Sequence, residues 1–383
     1  MCDILKHTTM KTGDKTMKKI HRTLSLFTVA AMCTALLCSC GKVPDSSQTD
    51  SSSKAATTTT ADTTADTTTA GEASSTASAA SAPDSSVSDS SSAVTDDTKT
   101  NGITPAMWKV TSPEGNTMVM LGSFHALKDE CYPLPEAVTN AYNNADILAV
   151  ECDITSTSED GEYMKNLMKQ MLYNDNTKLS QHISEEAYSA LQTYLGYWGM
   201  DISALEVYRP WAVSSTLDTL LIQDSGFDSE KGLDNYLLTT AHADGKEIYE
   251  VESVDFQMNL LINFSDDIYD LMFRSYEGET KESQKQALED LYTAWKSGDI
   301  ETFLEEDNEE ELAGYTEEDK KIAEDYNNQM LYDRNKNMAK AAEDLMSQGK
   351  NVFYVVGAAH YAGEGGIIDL LEKDGYTAER VQY

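Results

Sequence analysis

A tract of low complexity divides this chain of 383 residues and limits the part of it that can fold. Between residues 46 and 100, 47 of the 55 residues are Ser, Thr, Ala or Asp, and none is aromatic. Such a composition buries too little apolar surface to offset the conformational entropy that is lost on folding. The sequence therefore predicts a disordered tether over 40–100 and one folded domain over 101–383, which is long enough for a substantial hydrophobic core.

The segment before the tether is typical of an export signal. The short basic region Met17–Arg22 precedes Leu24–Leu37, an apolar run of 14 residues that is too short to span a bilayer comfortably. The run ends in Leu-Cys-Ser-Cys-Gly, which resembles a bacterial lipoprotein signal with small residues around the cysteine that is modified. We predict that the signal peptide 1–39 is removed and that Cys40 is lipidated, which would anchor the protein at the extracytoplasmic face of a cell membrane. An ordinary secretory peptide and an uncleaved anchor are the alternatives.

The distribution of charge excludes one class of partner. The chain has 65 acidic and 29 basic residues, of which 54 and 20 lie in 101–383. The excess of negative charge therefore belongs to the domain that folds, and a surface of that sign repels nucleic acid. We expect no nucleic-acid partner, whereas cations and basic peptides are compatible with the charge. The sequence does not predict the oligomeric state.

The hydrophobic pattern of 101–383 predicts an α/β domain with a mixed central sheet, built from both ends of the domain, and a helical insertion in the middle. The predicted strands are 107–110, 117–121, 147–150, 247–251, 352–356 and 377–381. The predicted helices are 134–144, 163–172, 185–198, 211–222, 232–242, 253–274, 281–297, 317–348 and 365–373.

Two Gly-x-x-His segments, Gly122–His125 and Gly357–His360, each follow an apolar strand. The carboxyl ends of strands line the ligand crevice of an open α/β sheet, so both imidazoles can point into it. Glu151 directly follows the apolar run 147–150, where a carboxylate is costly unless it is paired or functional, and Asp153 lies beside it. These four polar side chains are the candidates for chemistry.

Two imidazoles and a carboxylate can hold a divalent metal with open coordination positions, and Glu151 can instead act as a general base. The motifs of serine esterases, thermolysin-type proteases, P-loop proteins and Rossmann dinucleotide-binding proteins are absent from the sequence. Cys131 and Cys152 are the cysteines of the folded region, and without a Cys-x-x-Cys pair they do not indicate a zinc finger. A disulfide between them is permitted outside the cytoplasm, and two separately buried thiols are equally compatible.

An ordered series of short motifs extends across nearly all of 107–383 and resembles the TraB/GumN/Tiki family. The series opens with Leu121–His125 and Ala145–Asp153 and closes with Val355–His360, Gly363, Gly375–Tyr376 and Val381. The matches between them are Tyr132–Pro135, Arg209–Trp211, Gly232–Asp234, Gly245–Lys246, Glu250–Glu252, Gln257, Arg334–Asn335 and Met338. Ordered matches over such a length are far more specific than any one motif.

The resemblance implies a compact α/β fold whose active site contains two Gly-x-x-His motifs and a glutamate. Animal Tiki proteins are described as metal-dependent proteases that use Mn²⁺ or Co²⁺, and bacterial relatives are linked to the shutdown of peptide pheromones. Carried onto this chain, the resemblance implies that His125, His360 and Glu151 bind a divalent metal (Mn, Co or Zn). It also implies catalytic roles for Glu151 and for Arg334, the latter as a partner of an oxyanion or of a carboxylate. A structural salt bridge is the alternative role of Arg334.

The sequence therefore predicts a membrane-anchored, extracytoplasmic, metal-dependent hydrolase, with a peptidase acting on peptide or protein substrates as the favoured class. A binding protein that sequesters a peptide signal or haem without turnover is the alternative. A third hypothesis is an inactive scaffold, in which both histidines would be buried, far apart and bonded to backbone.

Overall fold

A computed structural model describes residues 102–155, 160–304 and 315–383. The predicted signal peptide, the lipidation site Cys40 and the predicted tether lie outside the described residues. The described chain is a mixed α/β structure with six strands in one sheet, in the order β4-β3-β5-β2-β1-β6. The strands are β1 (Met107–Thr111), β2 (Thr117–Ser123), β3 (Ile147–Val150), β4 (Glu247–Glu250), β5 (Val352–Gly357) and β6 (Thr377–Arg380).

The sheet combines a parallel and an antiparallel part. β1 pairs antiparallel with β2 and with β6, whereas β2, β5, β3 and β4 run parallel to one another. Every residue of β3 and β5 is buried, as expected for parallel strands that are covered on both faces. The edge strands β4 and β6 are largely exposed. β1, β2 and β3 come from the beginning of the domain, and β5 and β6 come from its end. The predicted architecture, a mixed sheet built from both ends with helices between them, is therefore confirmed.

Helices make up most of the remaining described chain. The helices are α1 (Glu136–Asn144), α2 (Gly161–Gln170), α3 (Glu185–Tyr197), α4 (Pro210–Asp224), α5 (Leu233–Asp244), α6 (Val254–Ile262), α7 (Asp266–Arg274), α8 (Lys281–Ser297), α9 (Glu317–Asn327), α10 (Asp333–Ser347) and α11 (Ile367–Lys373).

Two segments that the pattern predicts as single helices are each divided. The predicted helix 253–274 is interrupted after α6, because the Ser265 hydroxyl accepts the Ile268 N–H and begins α7. The predicted helix 317–348 contains a π turn, Asn328–Tyr332, between α9 and α10. That turn changes the direction in which the side chains of α10 project, and it lies next to the candidate site described below.

A cluster of aromatic side chains fixes α8 to the carboxyl end of β2. Phe124, Tyr292 and Trp295 have ring centroids between 6.0 and 6.4 Å apart. The Trp295 indole N–H also donates to the Gly122 carbonyl oxygen at 3.0 Å. This packing holds the first Gly-x-x-His segment against the helical part of the domain.

Candidate active site

Three neighbouring parallel strands carry the predicted side chains to the same edge of the sheet. β5 lies between β2 and β3, with Leu121 opposite Val355 in one pair and Val150 opposite Val355 in the other. His125 comes two residues after β2, Glu151 directly after β3, and His360 in a 3₁₀ turn directly after β5. Parallel strands end at a common edge, so the two Gly-x-x-His segments become neighbours although more than 200 residues separate them.

The side chains of His125, Glu151 and His360 meet beside Gly357. A Cβ atom placed on Gly357 would lie 3.1 Å from Glu151 Oε1, 3.4 Å from His125 Nε2 and 3.6 Å from His360 Cδ2. His360 Nε2 lies 3.8 Å from Glu151 Oε1. Glycine at position 357 therefore lets three chemically active groups face one shared space. This geometry disagrees with the hypothesis of an inactive scaffold, in which the two histidines would lie far apart.

Each histidine is oriented through its Nδ1 atom. His360 Nδ1 lies 2.6 Å from Asn335 Oδ1, while the Asn335 amide donates to the Gly365 carbonyl oxygen. His125 Nδ1 lies 2.7 Å from Asp234 Oδ2. These partners leave each Nε2 facing the shared space, and neither Nε2 has a hydrogen-bond partner among the described residues. Such outer partners commonly fix the tautomer of catalytic and metal-binding histidines.

Asp234 reaches His125 because two backbone segments approach very closely. A Cβ atom on Gly232 would lie 2.1 Å from the His125 carbonyl oxygen, so no other residue fits there without displacement. The Leu233 N–H donates to the Phe124 carbonyl oxygen at 3.0 Å. The Ser123 hydroxyl completes the arrangement with 2.8 Å contacts to both oxygens of the Asp234 carboxylate.

Glu151 is buried and held by donors on both of its oxygens. The Gly357 N–H donates to Oε1 at 2.7 Å, and Gln257 Nε2 and Arg334 donate to Oε2 at 2.9 and 2.8 Å. Burial alone would raise the pKa of Glu151, but Arg334, the two neighbouring histidines and the Gly357 N–H together more than offset it and hold this pKa well below its usual range. Glu151 is therefore an anion at every physiological pH. The carboxylate that ends this apolar run is therefore paired, which is one of the two conditions under which its burial is expected.

Arg334 binds two carboxylates at once. Its side chain is 7% exposed and donates to Glu151 and to both oxygens of Glu252, and it also donates to the Met330 carbonyl oxygen. Burial would lower the pKa of Arg334, but the two carboxylates raise it, so the guanidinium stays charged. The geometry makes Arg334 a carboxylate partner, and most of its donors are already engaged.

The electrostatic environments of the two histidines differ. Burial, together with the charge of Arg334, lowers the pKa of His360 to about 3, so this imidazole is neutral. Burial would also lower the pKa of His125, but Asp234 raises it to about 9. His125 is therefore an imidazolium at neutral pH, and a metal ion that binds at Nε2 must displace its proton.

Other candidates from the sequence lie elsewhere. His242 Nε2 lies 2.7 Å from Asp153 Oδ2, and the Asp153 N–H donates to Glu250. Cys131 and Cys152 are free, buried thiols, so the interpretation as two separate thiols is confirmed and the disulfide is wrong. The sequence analysis assigned no role to the polar residues that hold His125, Glu151, His360 and Arg334 in place. All of these residues except Ser123 belong to the family motifs that lie between the two Gly-x-x-His segments. These partners are Ser123, Asp234, Glu252, Gln257 and Asn335.

A comparison with protein families matches the part of the chain that contains these motifs. A model of the TraB/PrgY/gumN family matches residues 106–380, which is most of the chain and includes both Gly-x-x-His segments. The chain belongs to the TraB/PrgY/gumN family. The resemblance inferred from the motifs is thus confirmed.

Relatives of this TraB/PrgY/gumN member include both bacterial and animal proteins. YbaP of Escherichia coli (strain K12) is 26% identical over 157 residues, which is 41% of this chain and 56% of YbaP. A metalloprotease TIKI homolog of Nematostella vectensis is 25% identical over 293 residues, 65% of this chain and 61% of the relative. Metalloprotease TIKI1 of Xenopus tropicalis is 23% identical over 289 residues, which is 63% of this chain and 55% of the relative. The chain spans less than two thirds of the length of these curated relatives, and no solved structure matches it.

The donor atoms of this TraB/PrgY/gumN site are of the types that bind divalent metals. The Nε2 atoms of His125 and His360 and Oε1 of Glu151 face one space, and two imidazoles with a carboxylate are a common metal-binding set. Within residues 102–155, 160–304 and 315–383, no group of three or more His, Cys, Asp or Glu side chains is already arranged as a metal site.

No helix in the same ranges is both long and apolar enough to cross a membrane.

Proposed function

We propose that this domain is a metal-dependent hydrolase that cleaves peptide bonds in peptides or proteins. The convergence of two imidazole nitrogens and one carboxylate oxygen beside Gly357 carries the proposal. The names of the animal relatives, which are metalloproteases, support the reaction class. The two histidines closely follow the ends of the adjacent strands β2 and β5, which supports a shared role.

In this proposal His125, His360 and Glu151 hold Mn²⁺, Co²⁺ or Zn²⁺. Such an ion polarises a carbonyl group and lowers the pKa of bound water towards neutrality. Asp234 and Asn335 present the Nε2 atoms, and Arg334 and Gln257 keep the carboxylate of Glu151 in place. Because a carboxylate with a strongly lowered pKa is a poor proton acceptor, the site favours Glu151 as a ligand over Glu151 as the general base.

A peptide library offered to the purified full chain tests the proposal. With Mn²⁺, Co²⁺ or Zn²⁺ supplied, mass spectrometry should detect new peptide termini, and a chelator should suppress them. Binding of peptides without any cleavage would favour the sequestering protein instead. Haem sequestration would appear as a Soret band on titration with haem.

Replacing Gly357 by alanine is expected to lower peptide cleavage by about 10²-fold, because small displacements of catalytic groups have effects of that size. The added methyl group would enter the space between His125 Nε2 and Glu151 Oε1. Gly196→Ala in α3 is the control, since a Cβ atom there meets no atom within 4 Å. The initial rate of cleavage and the unfolding midpoint should be measured for both variants. Loss of activity in both, or in neither, would contradict the proposed position of the centre.

We also propose that Cys40 is lipidated and anchors the domain to a membrane, as the signal-like segment before it indicates. Cys40→Ala should move the protein from the detergent-extracted membrane fraction to the soluble fraction. Cys38→Ala, two residues earlier, is the matched control and should leave the protein in the membrane. Retention of Cys40→Ala protein in the membrane fraction would show that another segment anchors it.

A further inference from the structure

The cavity that adjoins the candidate centre has two chemically different ends. One end contains His125, Glu151, Arg334 and His360, with Asp234 behind His125. Two further ionisable residues line the cavity among the described residues. They are Cys152, a buried thiol, and Tyr326, a phenol. The apolar part of the lining comes from α6, α8 and the π turn, and it is formed by Leu260, Leu261, Leu288, Leu291, Met330 and Leu331.

The size of this cavity suits one side chain. The volume of the whole cavity, with its charged and apolar parts together, is about 110 Å³, which is of the order of the ~150 Å³ apolar cavities that accept a benzene molecule. Leu261, Leu288 and Leu291 are between 3% and 6% exposed, so they form a wall that is shielded from bulk water. An apolar surface of this kind favours an aliphatic occupant, and it disfavours a charged one because no opposite charge lies there to pair with it.

One polar atom in the cavity wall lacks a partner. Asn327 ends α9 and lines the cavity, and its Oδ1 atom is buried without a hydrogen-bond partner among the described residues. A buried amide oxygen of this kind is destabilising unless it accepts a hydrogen bond. The main chain of a peptide supplies N–H donors at regular intervals beside its side chains. The π turn follows directly, and such turns are frequent at functional sites.

We propose that the apolar end of this cavity is a subsite for one large aliphatic side chain of an extended peptide, with Asn327 accepting a main-chain N–H of that peptide. The subsite rests on the proposed peptidase function, since it lies next to the same centre. Leu, Ile and Met match the wall in polarity and the cavity in size. Asp, Glu, Lys and Arg at the same peptide position are rejected.

The experiment uses the full chain and a set of nonapeptides that differ at one position only, with Leu, Ile, Met, Phe, Ala, Asp or Lys there. Peptide binding to the immobilised protein and peptide cleavage with Mn²⁺ are measured separately. Leu, Ile and Met peptides should be favoured over Asp and Lys peptides by at least ~100-fold, because a buried charge without a partner is strongly disfavoured. Leu288→Ala should shift the preference towards Phe by about 10-fold, as expected for a pocket enlarged by a few carbon atoms.

Matched variants distinguish the subsite from a general effect on folding. Leu271→Ala, which removes an equally buried leucine outside the cavity, should leave the preference unchanged. Asn327→Leu should weaken binding of all the peptides alike by about 10-fold, since one hydrogen bond to the main chain is lost. Gln329→Leu replaces an exposed amide two residues further on and should have no such effect.

The outcomes separate the subsite from the reaction. Selective binding of Leu, Ile and Met peptides without cleavage would support the subsite while the proposed hydrolysis fails. Cleavage with no preference, or with a preference for Asp or Lys, would overturn the subsite while hydrolysis stands. A preference that does not change in Leu288→Ala would also overturn it, and absence of both binding and cleavage would overturn both proposals.

Discussion

Replacing Arg334 by methionine is expected to lower the free energy of unfolding by about 3–5 kcal/mol, the range observed when one partner of a buried ion pair is removed. The side chains of Arg334, Glu151 and Glu252 are 7%, 11% and 5% exposed. Without the guanidinium, two carboxylates that lie close together would remain buried with no cation between them. Chemical denaturation of the purified protein measures the difference.

Lys336→Met is the control for this prediction. Lys336 lies two residues further along α10 and pairs with Asp333 at 2.8 Å, but its side chain is 66% exposed. Exposed pairs contribute about 0–1 kcal/mol, so this substitution should change stability only slightly. Equal losses in the two variants would contradict the view that Arg334 neutralises a buried pair of carboxylates.

Replacing Glu151 by glutamine is expected to lower kcat/KM for peptide cleavage by about 10²–10⁴-fold, the range for removal of an acid–base or charge-bearing catalytic group. Glutamine keeps the volume and can still accept the Gly357 N–H, which Glu151 accepts at 2.7 Å. It loses the negative charge that faces both histidines. The initial rate of cleavage should therefore fall much further than the thermal midpoint of unfolding.

Asp153→Asn is the matched control for Glu151→Gln. Asp153 follows Glu151 by two residues, but its carboxylate contacts His242, whose side chain is 49% exposed. The asparagine variant should retain kcat/KM within a few-fold. If instead Asp153→Asn removes activity and Glu151→Gln does not, the candidate centre has been placed on the wrong carboxylate.

The strands of the sheet could be predicted closely because buried parallel strands have an unmistakable pattern. β3 was predicted at its observed bounds, and β5 within one residue, because both are short apolar runs bounded by polar residues. The edge strand β6, predicted over 377–381, also lies within one residue of its observed bounds, whereas β2 extends two residues beyond its predicted end. The division between α6 and α7 was not predicted, although Ser265 followed by two acidic residues is a typical helix start.

The partners of the site could not be predicted from local pattern. Asp234 and Asn335 lie on helices, where a polar residue that orients a histidine has the same sequence pattern as one that faces water. Their roles depend on which strands become neighbours, and strand order is not encoded locally. The π turn before α10 directs Arg334 towards Glu151, and a helical period of 3.6 residues does not reveal such a turn.

A double-mutant cycle on His125 and His360 tests the central claim, that the two histidines act at one centre. The kcat/KM for peptide cleavage is measured with Mn²⁺ for the wild type, His125→Ala, His360→Ala and the double variant. Residues that act as a unit have strongly non-additive effects, so each single change should lower kcat/KM by roughly 10³-fold and the double change little further. Full activity in either single variant, or losses that multiply in the double variant, would contradict a shared centre.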